Sequence, residues 1–357
     1  MGFSIDMLNT IRVNASPEYM ERVPEATQYN MGEVGAALAT YTTLANEFVG
    51  ALFNKIGKTI IEAKLFNNKL ARFKSGTIAN HQDVEEIFIQ MAKAEGAYNP
   101  AGPNPLGRRE LPDIKTIYHR ENRRDVYTVS IGDIDFIRVF RSEATLDSFI
   151  SGLFNSIYSG ANYDEWLHMK SLMVHYSLTS LFGPMAENDN KIDNALAYQT
   201  LNFASTDNKE LWAKNFVKTV RKAITDMSFV SDQFNLAHVK TWTNPEDLVL
   251  FVNKDVVSEV DVEVLAKAFN MGKTDIQTEI VVMDDFDTES IPSIGEAAPV
   301  YALLADKEFF RVFDTLSHFE PQRNAEGLFT NYFYHVQQIL SYSTFKNAVW
   351  ITGKIEA

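Results

Sequence analysis

PVYALLADKEFFRVFDTLSHFEPQRNAEGLFTNYFYHVQQILSYSTFKNAVWITGKIEA runs from Pro299 to Ala357, and its reading decides the fold. A short apolar run, Val300 to Ala305, comes before Asp306. An aromatic segment follows from Glu308 to Leu316, then a polar turn carrying Pro321, Asn324 and Gly327. A long aromatic segment spans Leu328 to Tyr342, and Ala348 to Thr352 closes the series. Aromatic and β-branched residues bounded by turn clusters predict antiparallel strands.

Upstream, strand and helix patterns alternate. Leu248 to Val252 is β-prone, Glu259 to Phe269 is predicted helical behind Ser258, and Ile276 to Met283 is a second β run. The mixture predicts an α+β fold. The phrases DLVLFVNKDV (Asp247 to Val256), EVLAKAFN (Glu263 to Asn270), ALLADKEFFRVFDTL (Ala302 to Leu316) and TNYFYHVQQILSYSTFKNAVW (Thr330 to Trp350) cover roughly the last third of the chain. In order and spacing this region resembles the major capsid proteins of short-tailed, phi-29-like bacteriophages of Gram-positive bacteria, which have the Hong Kong-97-like shell fold.

That resemblance implies four parts: an N-terminal arm with an amphipathic helix (1–71), an extended loop (72–141), a peripheral domain (142–184 and 307–343) and an axial domain (185–306 and 344–357). It also implies self-association into five- and six-fold clusters, a scaffolding protein and a portal during assembly, and enclosed DNA without sequence-specific binding. The expected location is the virion, after assembly in the host cytoplasm. With the closing strand so near Ala357, no appended decoration domain is expected on this reading. A nanocompartment shell of the same fold, loaded with an enzyme, and a soluble α+β enzyme remain as alternatives.

Composition limits the other classes. With 357 residues, 45% hydrophobic and 12% aromatic, the chain can bury a large core. It has no cysteine, so disulfides, thiolate metal sites and cysteine nucleophiles are excluded. No apolar run approaches the ~18 residues of a membrane helix, so no membrane partner is expected. MGFSIDMLNTIRVNAS lacks the pattern of a signal peptide, and Asp6 breaks a myristoylation pattern. A net charge of −14 argues against tight nucleic-acid binding yet suits a container wall that ignores its contents.

In chain order, residues 1–32 are polar, are interrupted by Pro17 and Pro24, and read as an extended arm. Leu38, Tyr41, Ala45, Phe48 and Leu52 then form one helical stripe, suited either to its own domain or to a partner helix. Gly50, Gly57, Lys58 and Thr59 imitate a phosphate-binding loop, but the glycine spacing is wrong and a helix pattern precedes them. Asp83 to Ala94 reads as a short helix, and NPAGPNPLGRRELP (Asn99 to Pro112) breaks any regular element. Ile114 to Tyr118 and Val126 to Arg141 alternate as strands do. The resemblance makes this excursion an arm that reaches over a neighbouring subunit.

Ala144 to Tyr158 and Tyr163 to Phe182 read as two helices. The second opens on Asn162-x-x-Glu165, close to a capping box, and ends at Gly183-Pro184. Trp166, Met169, Met173, Tyr176 and Ser180 share its apolar face. Lys209 to Met227 is a further helix behind Asp207, with Trp212, Phe216, Val220, Ile224 and Met227 on one stripe.

No catalytic, cofactor-binding or metal-ligating residue is singled out, and no cofactor is implied. His168 and His175 lie two helical turns apart, too far for one metal. Asp284, Asp285 and Asp287 could hold a cation but match no calcium-loop pattern; a solvated loop fits them better. Charge is segregated. Arg108, Arg109, Lys115, Arg120, Arg123 and Arg124 face three acids between Gly107 and Arg124, whereas Glu246 to Glu296 holds thirteen acids and three bases. Two solvated surfaces would explain this. Alternatively Arg108, Arg109, Arg120, Arg123 and Arg124 are inter-subunit contacts that orient the arm on a neighbour.

Overall fold

A computed structural model describes residues 3–41, 43–49, 51, 66–78, 82–93, 111–132, 143–182, 197–201, 209–259, 278–286 and 300–353. Among the described residues, eleven strands form three sheets. The four-stranded sheet runs β1 (Gly76–Thr77), β9 (Phe310–Asn324), β10 (Phe329–Tyr342), β4 (Arg123–Gly132). The five-stranded sheet runs β5 (Ala197–Gln199), β11 (Ala348–Thr352), β8 (Val300–Asp306), β6 (Leu248–Asn253), β7 (Glu279–Met283). A two-stranded ribbon pairs β2 (Val84–Ile89) with β3 (Ile114–His119).

The five-stranded sheet is apolar on both faces because both are covered. Val249, Phe251, Leu303, Ala305 and Trp350 face a core with Trp166, Met169, Met173 and Tyr176 of the long helix Glu143–Phe182. Leu248, Leu250, Val252, Leu304, Val349 and Ile351 face Trp212, Phe216, Val220, Ile224 and Met227 of the Lys209–Met227 helix. Every residue of β8 and β11 is therefore buried, with no polar alternation. The Lys209–Met227 stripe, and Trp166, Met169, Met173 and Tyr176 of the other, fall where the sequence places them, while the Ser180 side chain lies outside the described residues. Each large side chain so buried contributes ~1.5–3 kcal/mol of apolar transfer.

Several expectations are corrected. The first 32 residues are not an extended arm. They form helices Phe3–Asn14 and Pro17–Arg22 and lead into Met31–Thr40. Pro17 opens a helix: Ser16 is its N-cap, and the Ser16 hydroxyl accepts from the Tyr19 amide at 3.3 Å. Ile5, Leu8, Ile11, Tyr19 and Leu38 form a third core with Ile131, Ile157 and Tyr332. The Asn9 side chain ties this unit together, donating to the Ala26 carbonyl at 3.0 Å and accepting from its amide at 2.8 Å. The Leu38–Leu52 stripe is interrupted, because Tyr41 turns extended (φ −122°, ψ 101°) before helical residues 43–49.

Asp83 to Ala94 contains strand β2 in place of a helix; VEEIFI satisfies a two-residue period and pairs with β3. The two helices around residue 160 are one helix of 40 residues. Gly160 interrupts only the side-chain row, and Asn162 and Glu165 sit in mid-helix, with no terminus to cap. The polar turn is narrower than predicted. β9 runs through Pro321, which pairs with Tyr332, and residues 325–328 make the turn. A helix at Lys254–Glu259 precedes the predicted one, whose residues 260–269 lie outside the described set, as do most of 50–59, 99–110 and Gly183-Pro184.

Candidate assembly interface

The ribbon pairs with neither of the other two sheets. Its residues alternate, so one face points inward and the other out. Outward lie Ile87 (54% exposed), Ile89 (60%), Ile114 (51%) and Tyr118 (59%), four large apolar side chains on one small sheet. A two-stranded ribbon is marginal alone, and an apolar face of this kind marks an interaction surface.

The inward face sets Glu86, Lys115 and His119 among the apolar Val84, Phe88 and Ile117. Glu86 lies beside Arg311, which donates to Oε1 from Nε at 3.1 Å and from a terminal nitrogen at 2.8 Å. Ser343 donates to the same oxygen at 2.8 Å, and His119 Nε2 lies 3.1 Å from Oε2. Burial alone would raise the Glu86 carboxyl, but hydrogen bonds from His119, Arg311 and Ser343 outweigh it and hold the pKa down to about 2.

Below the ribbon, a second polar cluster joins β4, β10 and the middle of the long helix. Glu165 accepts from Asn68 at 2.7 Å, Lys74 at 2.9 Å and Gln338 at 2.5 Å. Burial opposes its ionisation, yet the Lys74 charge and these donors leave its pKa lowered. Burial also opposes charge on Lys74, and the charges of Glu165 and Asp314 override it to raise its pKa.

The arginines expected at an interface divide. Arg123 is an interior residue of its own chain (3% exposed), donating to Asp125 at 2.6 Å, Gln338 at 2.6 Å and Tyr127 at 2.8 Å. Arg120 and Arg124 are exposed surface cations, with their nearest carboxylates on Asp83 and Glu121. Arg108 and Arg109 lie outside the described residues.

His168 and His175 line an open cavity with Glu121, Arg124 and Asp125, and His168 Nε2 stands 3.9 Å from Asp125. Asp284 is paired with Lys170 at 3.0 Å, and Asp287 is not among the described residues. Among the described residues no group of His, Asp and Glu is arranged to hold a metal, and no helix is long and apolar enough to cross a membrane. Sequence reasoning missed Glu86, Glu165 and Lys74. The only trace of the first is a glutamate on the inward parity of an alternating strand.

Comparison with known proteins accords with this architecture. The capsid structure of Staphylococcus phage Andhra superposes with a TM-score of 0.62 at 14% identity, covering 81% of this chain and 85% of that one. A chain of the native bacteriophage P68 structure gives 0.57 at 15% identity, covering 83% and 87%. The fold is thus α+β and that of the Hong Kong-97-like shell proteins of phage heads.

Residues 8–352 match the family described as Phi29-like phage major capsid protein. The major capsid protein of Bacillus phage B103 is 34% identical over 353 residues, 98% of this chain and 73% of that protein. That of Streptococcus phage Cp-1 is 28% identical over 358 residues, 96% and 93%. The chain belongs to the Phi29-like phage major capsid protein family. It is a structural component of the virion that forms the head shell, and it is not an enzyme. The nanocompartment and enzyme readings are set aside.

Proposed function

We propose that copies of this chain cluster in fives and sixes to close an icosahedral head around double-stranded DNA, in the host cytoplasm, with a scaffolding protein and a portal as assembly partners. The observation that carries this reading is the ribbon's bare outer face, Ile87, Ile89, Ile114 and Tyr118, on a subunit whose five-stranded sheet is covered on both faces. A neighbouring copy is the surface that would bury it. Arg120 and Arg124, with Arg108 and Arg109, orient that contact; Arg123 anchors β4 internally. The net charge of −14 suits a wall that encloses DNA without binding its sequence. The division into arm (1–71), extended loop (72–141), peripheral domain (142–184 and 307–343) and axial domain (185–306 and 344–357) belongs to the same proposal.

Sedimentation with negative-stain microscopy tests it, on the protein alone and co-expressed with a candidate scaffold. Closed particles are expected, and a persistent monomer under both conditions would overturn the reading. Charge reversal at Arg120 and Arg124 should lower particle yield and change its salt dependence. Unchanged yield at every salt concentration would remove these arginines from the interface.

A further inference from the structure

The ribbon's outer face is bare, but its inner face is fastened from both strands. From β2, Glu86 takes the fork of Arg311 and the Ser343 hydroxyl, and the Phe88 ring lies 5.6 Å from that of Phe345. From β3, His119 Nδ1 stands 2.8 Å from the Ser341 hydroxyl, and Lys115 donates to the Ala237 carbonyl at 2.5 Å. Beyond the ribbon's end the Lys240 amide donates to the Gln90 side chain at 3.3 Å.

The exit from β3 is held as firmly. The Asn122 amide group imitates a strand residue, donating to the Leu340 carbonyl and accepting from its N–H, both at 2.8 Å. Thr315, the residue that β9 bulges out at its register shift, donates to Glu121 at 2.9 Å. The fastenings thus reach β9, β10, the turn after β10 and the loop 237–240. Contacts on both strands resist tilt and twist together, which a contact on one strand could not.

We propose that this root is an orientation lock: Glu86, Arg311, His119 and Asn122 set the ribbon at one fixed angle in the free subunit, before any neighbour arrives. The chemistry suits that task. An apolar root would tolerate sliding, whereas a guanidinium fork on one carboxylate fits a single geometry. Presetting the angle removes an ordering cost from docking. The advantage to assembly rests on the docking reading above; the fixed angle does not.

The chain has no cysteine, so spin labels can be placed without background. Thr116→Cys on the outer face and Thr225→Cys on the Lys209–Met227 helix, both exposed, report the ribbon's angle in the full-length, unassembled subunit by pulsed dipolar spectroscopy. With the root intact a single narrow distance distribution is expected, and Glu86→Ala should broaden it at least about twofold. Arg311→Lys keeps the charge but loses the fork, and should broaden it in the same direction where Glu86→Ala fails to fold. Far-UV circular dichroism establishes that each variant is folded. A distribution already broad in the unmodified root, or one that stays narrow in the folded root variants, overturns the lock. Ile87→Ser on the outer face separates the two ideas. It should leave the distribution narrow while lowering particle yield, and normal yield would sink the docking reading while the lock stands.

Discussion

Replacing Glu165 by alanine distinguishes two accounts of one residue. At a helix start, as Asn162-x-x-Glu165 suggests, either side chain would contribute ~1 kcal/mol. In mid-helix the two separate. Glu165 is a buried carboxylate receiving three hydrogen bonds, one from an ammonium. Breaking a buried ion pair from one side costs ~3–5 kcal/mol. Part is recovered, because Lys74 keeps Asp314 at 2.7 Å and Gln338 keeps it at 2.6 Å. Asn68 retains only the Met169 sulfur as a side-chain acceptor for its amide, at 3.6 Å. The net expectation for Glu165→Ala is about 3 kcal/mol. Asn162→Ala forfeits one exposed bond to the Phe66 carbonyl and gains helix propensity, so its expected effect lies within ~0.5 kcal/mol of zero. Urea unfolding of the subunit, followed by the fluorescence of neighbouring Trp166, measures both. A loss above ~1 kcal/mol for Asn162→Ala with less than ~1 for Glu165→Ala would refute the mid-helix account.

Glu86 should make the subunit acid-sensitive. Its folded pKa of about 2 lies below the ordinary 4.5, so its contribution is fully present above pH 4.5 and is lost as the pH falls toward 2. The difference corresponds to roughly 3 kcal/mol before solvent screening and about 2 after it; the urea-midpoint gap between wild type and Glu86→Gln should narrow from pH 5 to pH 2. Gly160→Ala should stabilise by up to ~1 kcal/mol in thermal melts, because the position is helical and the added methyl would meet nothing nearer than Tyr127 Cδ1 at 3.7 Å. Tyr176→Phe removes a buried hydroxyl that donates to the Ala348 carbonyl at 2.5 Å, and should cost about 1–2 kcal/mol in urea unfolding.

The strands from Val300 to Thr352 were legible because apolar, aromatic and β-branched runs stand between turn clusters, and the Lys209–Met227 helix because one period dominates it. Other stretches carried two messages. VEEIFIQMAK offers both a strand alternation and enough helix formers to pass as a helix, and only pairing with Ile114–His119 decides it. Pro17 reads as a breaker in the sequence yet opens a helix, since proline suits the first helical turn as well as a loop. Gly160 and Asn162 imitate a helix boundary, but packing on both sides of residue 160 carries the helix through. The polar clusters were out of reach for a different reason. Glu165 and Lys74 are 91 residues apart, and Arg123 and Gln338 are 215 apart. No local pattern marks a charge whose partner is that distant, so Arg123 read as one more surface cation in a basic run.

The three cores share one dependence on synthesis. The first needs Tyr332, the second Leu340 and Trp350, the third Val349 and Ile351. While the ribosome is still translating residue 330, helices at the front of the nascent chain have no finished surface to settle on. Folding therefore waits for the last strands and then closes all three cores within a few seconds of elongation, at roughly 5–20 residues per second. A chain that stops before residue 332 lacks strand residues from every one of the three cores.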